Sequence, residues 1–424
     1  MKKITLPLTL VWLGLLFGAS TCLAQMYTVT DLGTLRGGTF STGTGINNSG
    51  QVIGVSDTNG YRHGFRTAAN SPINPDTDDL GTLGGHGSDA QSINASGQVV
   101  GTSYLEDESD FHGFRTSANS PINPDTDDLG WVGTVNNGYG INDSGQAAGF
   151  FGQNCFKGFR TAPNAPITED DDIGFLGGIC ATLAYGVNGS GQVAGRSALS
   201  GYVAFHAFRT AANSPINPNT DDLGTLGGTN SSAYGINRYG EVVGMSATAG
   251  DSDAHGFVYS GGAMHDLQSL IPADFGGELI TAASINDAGQ ITADGCQGAV
   301  CHAMLLTPIF KATVQPPIHA DGSSVFKATR RVLQVKFTLT ESGAPACSLS
   351  PATIAVTRTA GEKIGPIDPN LYATPADDGS NFRTDLAACQ YIYNLGASAL
   401  GTGTYQVDIN INGISVGHAV FALQ

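Results

Sequence analysis

The 424-residue chain is poor in charged residues, which make up 13% of it, and holds only 19 lysines and arginines against 36 acidic residues. The resulting net charge of -17 argues against the phosphate backbone of nucleic acids and against anionic lipid surfaces as partners. Beyond residue 24, no apolar run approaches the ~20 residues that a spanning helix needs. We therefore predict no nucleic-acid partner and no membrane span.

Signatures of catalysis and of cofactor binding are also missing. The sequence contains no G-x-S-x-G, H-E-x-x-H, P-loop or dinucleotide fingerprint, and no C-x-x-C that would support a thiolate metal site. The sialidase-type S-x-D-x-G-x-x-W box is missing too, and Trp131 is the only tryptophan after residue 24. We predict no catalytic residues, no metal site and no cofactor.

Residues 1–24 have the form of a secretory signal peptide. Lys2 and Lys3 precede an apolar run over residues 6–17, and small residues lead to an A-x-A-like cleavage site at Ala24. A lipid-anchored Cys22 is the alternative, although the residue three positions upstream is not the leucine that such signals favour. We expect a bacterial protein that is secreted, periplasmic or held at the cell surface.

A motif of the form I/V-N-x-x-G-Q/E recurs six times. Its asparagines are Asn47, Asn94, Asn142, Asn188, Asn237 and Asn286, at intervals of 47, 48, 46, 49 and 49 residues. Each copy is followed by an apolar stretch, then by an H-G-F-R-like element and then by a D-L-G-T-L-like element, although the sixth unit ends before that last element. A fixed period of this length indicates a repeat architecture.

Each repeat contains four short strand candidates, A to D. Strand A ends at the Ile-Asn pair, strand B is the apolar stretch after the Asn-x-x-Gly turn, strand C carries Phe-Arg, and strand D is the D-L-G-T-L element. A lone D element at residues 31–35 precedes the first repeat, and the sixth repeat ends after its strand C near Leu306. This displacement lets the first strand complete the last blade of a ring. We predict an all-β fold with a six-bladed β-propeller over residues 27–308; an open β-solenoid is the alternative.

These motifs resemble a known family. The elements D-L-G-T-L-G-G, G-I-N-x-S-G-Q-V-V-G-x-S and H-G-F or H-A-F together are similar to the HAF-family extracellular repeat of exported bacterial proteins. The resemblance implies export and a repeat architecture, and it carries over no reaction and no catalytic residues.

Composition changes after Pro308. Alternating apolar and polar residues at 335–339 and 405–411 predict half-buried strands, and Asn412-Gly413 predicts a hairpin. About seven such segments suggest a small Ig-like β-sandwich over residues 323–424, preceded by a linker at 309–322. The segment Gln334-Val335-Lys336-Phe337, with the later Tyr391-Ile392-Tyr393-Asn394, resembles the PxKF module of secreted bacterial proteins.

The loops of the repeats differ in how much they vary. The C–D loop recurs almost unchanged at 68–77, 117–126 and 211–220, whereas the B–C loops, which should lie on the opposite face, differ in every repeat. Diversified loops on a repeated scaffold suggest ligand binding; drift of unconstrained loops is the alternative. The candidate binding residues on the variable face are Tyr61, Tyr104, Glu106, Asp107, Asp110, Phe111, Phe151, Tyr202, Asp251 and Asp253.

The six cysteines after the leader indicate disulfides in an exported chain. Two of them, Cys155 and Cys180, fall on the variable face, and two more flank one B–C turn. We predict the pairs Cys155–Cys180, Cys296–Cys301 and Cys347–Cys389.

The recurrent histidines and acidic runs have structural interpretations. Because His63, His112, His206, His255 and His302 occupy equivalent positions, a ring would keep them too far apart to share a metal ion. The acidic runs before strand D, such as residues 76–79, lack EF-hand spacing, so solvated turn acids are expected and calcium binding is the alternative.

The predicted function is a secreted, non-catalytic binding or adhesion module that presents variable loops to an extracellular glycan or protein. Aromatic side chains beside carboxylates suit neutral or basic glycans, cationic ligands or calcium-bridged partners. One alternative is an extracellular polysaccharide hydrolase or lyase that uses carboxylates such as Glu106 and Asp110. Another is a structural matrix protein. The ligand and the oligomeric state are not encoded in any motif we recognise.

Overall fold

The computed structural model describes residues 25–424 except 107–109, 132–136, 153–154, 349–351, 362, 374–376 and 378. The predicted signal peptide and Asp107 therefore lie outside the described residues. The chain is all-β, as predicted, with 52% of it in strands and 4% in helices, and the strands form many small antiparallel sheets.

Six of these sheets follow one another, and each holds one copy of the sequence motif; we call them units 1 to 6. Unit 1 holds β2 (Ser41–Ile46), β3 (Val52–Thr58) and β4 (Tyr61–Arg66), and it follows β1 (Tyr27–Asp31). Unit 2 holds β5 (Gly84–Ile93), β6 (Val99–Leu105), β7 (Phe111–Arg115) and β8 (Asp128–Trp131). Unit 3 holds β9 (Asn137–Ile141), β10 (Ala147–Phe151) and β11 (Lys157–Arg160).

The remaining units have the same order of strands. Unit 4 holds β12 (Thr182–Val187), β13 (Val193–Ala198) and β14 (Phe205–Arg209). Unit 5 holds β15 (Gly227–Ile236), β16 (Val242–Thr248), β17 (Ala254–Ser260) and β18 (Ala263–Asp266). Unit 6 holds β19 (Glu278–Ile285), β20 (Ile291–Gln297) and β21 (Val300–Pro308).

The fourth strand is shorter than the sequence predicts in units 1, 3 and 4. There the D element makes a single antiparallel bridge, as between Phe65 and Asp79 in unit 1. The carboxylate of Asp79 accepts a hydrogen bond from the amide of Gly81 at 2.8 Å, and Gly81 has a φ of +73°. This local turn bends the backbone away from the ladder after one bridge.

The turn between strands A and B is built by the motif asparagine. In unit 4 the Oδ1 of Asn188 accepts hydrogen bonds from the amides of Ser190 and Gln192, both at 3.1 Å, and Asn188 is 4% exposed. Gly191 follows with a φ of +77°, a conformation that favours glycine. The motif therefore encodes a self-contained turn.

The same asparagines connect successive units. In four units the Nδ2 donates to the backbone carbonyl of the next motif asparagine: Asn47 to Asn94 at 3.1 Å, Asn142 to Asn188 at 2.8 Å, Asn188 to Asn237 at 3.0 Å, and Asn237 to Asn286 at 3.3 Å. The Nδ2 of Asn94 donates instead to Oε1 of Gln98 at 2.9 Å. Asn286 of unit 6 donates in the same way to Asn47 of unit 1 at 3.1 Å. The contact that joins neighbouring units thus also joins the last unit to the first.

β1 belongs to the sheet of unit 6. It pairs antiparallel with β21 from Tyr27 opposite Pro308 to Asp31 opposite Met304, so the sheet order is β1, β21, β20, β19. The Oγ of Ser41 in unit 1 accepts the amide of Ala303 in unit 6 at 2.9 Å. The predicted pairing of the first strand with the last repeat is therefore present.

The remaining strands form two five-stranded sheets. The first consists of β22 (Phe310–Gln315), β24 (Val332–Glu341), β25 (Ala344–Pro345), β28 (Arg383–Asp385) and β29 (Gln390–Gly396). The second consists of β23 (Ser324–Phe326), β26 (Thr353–Ala360), β27 (Gly365–Pro366), β30 (Gly403–Ile411) and β31 (Ile414–Leu423), and the short helix α1 (Pro369–Tyr372) precedes β28.

One correction concerns the linker predicted at residues 309–322. Phe310–Gln315 is a strand of the first sheet and pairs with β24 over its whole length. Phe310 and Val314 are buried in the core that the two sheets share with unit 6. The six residues of this strand alternate between apolar and polar, but the Pro316-Pro317 pair that follows favours a linker.

The second sheet of this C-terminal module also contacts unit 5. The ring of His418 on β31 stacks on Tyr239 with 3.7 Å between the ring centroids. Its Nδ1 lies 2.8 Å from Asp408 Oδ1, and its Nε2 lies 3.6 Å from Glu241 Oε2. Glu241 occupies the motif position that is glutamine in the other five units. The interface therefore contains a buried cluster of titratable groups.

Candidate functional site

The repeated C–D loops form hydrogen bonds between units. Asn70 adopts a φ of +54° and accepts a hydrogen bond from Nε2 of Gln290 at 2.7 Å. Arg66 of the H-G-F-R element donates to the carbonyls of Gly97 and Ser120 in unit 2, at 3.2 and 3.1 Å. Because these groups stabilise the packing of one unit on another, the near-identity of the C–D loops has a structural explanation.

The variable end of units 1 and 2 carries an exposed aromatic surface. Tyr61 is 49% exposed and stacks on His86, with ring centroids 4.5 Å apart. Tyr104 and Phe111, at 46% and 43% exposure, meet edge to face at 6.4 Å. We call Tyr61, His86, Tyr104 and Phe111 the loop patch.

Backbone packing places the Tyr61–His86 ring pair next to the Tyr104–Phe111 ring pair. Gly87 lies between them, since a Cβ atom there would meet the carbonyl of Arg62 at 3.2 Å and the Tyr104 ring at 3.5 Å. The glycines around His86 thus allow the D–A connection to approach both loops closely. Sequence reasoning missed His86, although it follows the L-G-G element in a connection assigned to the variable face.

The acidic residues beside the loop patch have different roles. Glu106 is exposed and lies against Gly84, where a Cβ atom would be 3.4 Å from the Cβ of Glu106. The carboxylate of Asp110 accepts a hydrogen bond from the amide of Phe111 at 2.8 Å, so it orders the turn before β7. Of Glu106 and Asp110, only Glu106 is exposed.

The other predicted site residues lie in units 3 to 5. Phe151 is half-buried 6.2 Å from the Phe159 ring, and Tyr202 ends a 3-10 turn. Asp251 accepts hydrogen bonds from the amide and the hydroxyl of Thr229, which lower its pKa below the ordinary value, and the exposed Asp253 accepts one from Ser252 at 2.8 Å.

The three predicted disulfides are present. Cys155–Cys180, Cys296–Cys301 and Cys347–Cys389 have Cα separations of 5.1, 4.1 and 4.7 Å. The first joins the B–C loop of unit 3 to the connection leading to unit 4, and the second closes the hairpin of β20 and β21. These two bonds fix the backbone of variable loops.

The recurrent histidines each pair with the aspartate of a D element. The pairs are His63–Asp79, His112–Asp128, His206–Asp222, His255–Asp266 and His302–Asp31, with separations of 2.8 to 3.0 Å, and Lys157–Asp172 replaces them in unit 3. The hydrogen bond to Asp79 raises the pKa of His63. Asp31 of β1 thereby pairs with the histidine of unit 6, as the aspartate of a D element does in units 1, 2, 4 and 5.

The acidic runs are also engaged in local contacts. Asp78 is buried and accepts the amide of Asn74 at 2.8 Å, while Asp79 pairs with His63. Across the described ranges, no group of three or more histidine, cysteine, aspartate or glutamate residues is placed to hold a metal ion.

Comparisons with known proteins give no match: no protein-family model matches the chain, and no curated protein matches it. In the part of the chain that the structure describes, no helix is long and apolar enough to cross a membrane.

Proposed function

We propose that residues 27–308 form a six-bladed β-propeller of the HAF-repeat type, followed by a small Ig-like sandwich. The pairing of β1 with β21 supports a circular arrangement, because the strand that precedes unit 1 completes the sheet of unit 6. The asparagine contact that returns from Asn286 to Asn47 supports it independently. A solenoid stacked in a line would keep its first and last units apart.

We infer that the protein is a secreted, non-catalytic binding module whose loop patch binds a neutral extracellular glycan. The observation that carries this proposal is the exposure of four ring side chains near adjoining strand ends of units 1 and 2. Flat aromatic faces suit the apolar face of a sugar ring, and a carboxylate such as Glu106 accepts hydrogen bonds from its hydroxyls. The exposed carboxylate of Glu106 beside this patch favours a neutral glycan over an acidic one there.

Export is part of the same proposal. Three disulfides are consistent with an oxidising compartment outside the cytoplasm, where such bonds persist. The leader-like residues 1–24 supply a route to that compartment.

A glycan array probed with the mature chain, with and without calcium, tests the function. We expect binding to neutral glycans in both conditions, and a loss of at least tenfold in affinity for Tyr104→Ala, because one of the two ring pairs is removed. Leu386→Ala, an exposed apolar residue of the C-terminal module, should bind like the parent. The absence of any glycan ligand in either condition would contradict the proposal, and reducing-sugar release abolished by Glu106→Gln would favour the hydrolase.

A further inference from the structure

All six units share a β-bulge in the inner part of strand A. The register between strands A and B shifts there by one residue, as between Ala184 and Gly186 in unit 4. The residues left unpaired by these shifts are Thr44, Gln91, Tyr139, Tyr185, Tyr234 and Ala283. A bulge removes one residue from the ladder and re-aims its side chain, and bulges are over-represented beside functional sites.

In three consecutive units the bulged residue is tyrosine. The ring centroid of Tyr185 lies 5.2 Å from that of Tyr139 and 5.4 Å from that of Tyr234. Tyr139 is 48% exposed, and the other two are half-buried. We call these residues the bulge tyrosines; they form one continuous aromatic surface across units 3 to 5.

The other half of the series carries smaller or aliphatic side chains. Thr44 donates its hydroxyl to the carbonyl of Ala90 in unit 2 at 2.7 Å, so bulged residues there also face the next unit. Ala283 and Gln91 complete this half. Aromatic surface is therefore confined to one side of the series of bulges.

An arginine stands beside the bulge tyrosines. Arg196 on β13 is paired in register with Leu183, two residues before Tyr185, and its guanidinium carbon lies 5.3 Å from the centroid of the Phe205 ring. Its Nε is buried, and none of the described residues offers it a hydrogen bond or an ion pair. Burial raises the pKa of the Tyr185 phenol, and the charge of Arg196 acts in the opposite direction.

We propose that the bulge tyrosines and Arg196 form a second binding site, which takes a carboxylated sugar such as a uronate oligosaccharide. Tyrosine faces stack on sugar rings and their hydroxyls form hydrogen bonds, while a guanidinium binds a carboxylate through two parallel N–H donors. A buried donor without an acceptor costs free energy, and a carboxylate would supply the missing acceptor. The site is distinct from the loop patch and does not depend on the glycan bound there.

Calorimetric titration of the mature chain with tetragalacturonate, and with its fully methyl-esterified form, tests this site. We expect the acid to bind at least tenfold more tightly than the ester, because only the acid pairs with Arg196. Arg196→Gln should remove that difference while leaving the circular dichroism spectrum unchanged. Tyr185→Ala should weaken both ligands at least tenfold.

Two control variants test whether tetragalacturonate binds at the bulge tyrosines. Gln91→Ala changes the equivalent bulge in the non-aromatic half, and Tyr104→Ala changes the loop patch; both should bind tetragalacturonate like the parent. Failure of the parent to bind either ligand at millimolar concentration, or unchanged acid preference in Arg196→Gln, would overturn the proposal. Loss of tetragalacturonate binding in Tyr104→Ala would assign the ligand to the loop patch instead.

Discussion

At the scale of single residues, the contacts of two recurrent side chains indicate that their roles are structural. The motif asparagine closes its own turn and donates to the next unit, and the arginine of the H-G-F-R element donates to backbone carbonyls across a unit boundary. Each of these side chains donates to a backbone carbonyl of the neighbouring unit. Their recurrence therefore reflects the packing of units on one another rather than chemistry on a ligand.

Asn188→Ala should destabilise the chain by about 1–3 kcal/mol, because it removes the acceptor of two partly buried turn amides and the buried hydrogen bond to the carbonyl of Asn237. Asn94→Ala changes the same motif position where the residue is exposed, so water can replace the lost bonds and the loss should be smaller. Urea unfolding of both variants measures the difference. Equal losses at the two positions would contradict the assigned role of burial.

At the scale of structural elements, β1 is the strand that completes the sheet of unit 6. It covers the edge of β21, and Asp31 pairs with His302 as the other D elements pair within their own units. Without it, β21 would present an unpaired edge to solvent, and such edges template association with other chains.

Deleting residues 25–31 should convert the mature chain from a single species into higher oligomers or aggregates, as size-exclusion chromatography would report. The full mature chain with the same tag is the control. A synthetic peptide of residues 25–35, added during refolding, should restore the original elution volume because it can pair with β21 in trans. An unchanged elution profile for the deletion variant would argue against the role assigned to β1.

At the scale of the whole molecule, a buried charged cluster joins the C-terminal module to unit 5. Burial alone would lower the pKa of His418, but its contacts with Asp408 and Glu241 raise it to about 9. Burial alone would raise the pKa of Glu241, but the hydrogen bond and charge of His418 lower it. The side chains of His418 and Glu241 are 8% and 10% exposed, so solvent screens this pair little.

The stability of the molecule should therefore fall as pH rises from about 6.5 through about 9. Since the folded pKa of His418 lies above its ordinary value, the stabilisation is fully present below about pH 6.5 and is lost as the imidazolium deprotonates. The loss should be on the order of 2–3 kcal/mol. Thermal unfolding between pH 6 and 9.5 measures it.

His418→Gln is the matched variant for this prediction, since it keeps a polar side chain but cannot carry the charge. Its unfolding temperature should be lower than that of the parent at pH 6 and nearly independent of pH across the same range. His319→Gln, in the same module but outside the cluster, should keep the pH dependence of the parent. A parent whose stability does not change between pH 6.5 and 9 would contradict the assignment.

Much of the fold could be predicted from local pattern. Strand A ends at the Ile or Val before the motif asparagine in all six units, and the predicted disulfide pairs join cysteines of nearby loops or of one module. Of the ten candidate binding residues, Tyr61, Tyr104 and Phe111 lie in the loop patch, whereas Phe151, Tyr202, Asp251 and Asp253 lie in units 3 to 5. The propeller, the export route and the ligand remain proposals.

The sequence by itself determined strands A to C of the repeats, their tight turns and the offset D element, because these depend on a period of two and on residues that favour turns within a few positions. Only the tertiary structure decided that the rings of Tyr139, Tyr185 and Tyr234 pack together. It also decided that His86 stacks on Tyr61 and that His418 stacks on Tyr239. The physical reason is that a one-residue bulge reverses which side chains face inward, and contacts between units bring together residues from 25 positions apart, as in Tyr61 and His86, to 179 positions apart, as in Tyr239 and His418, which no local pattern records.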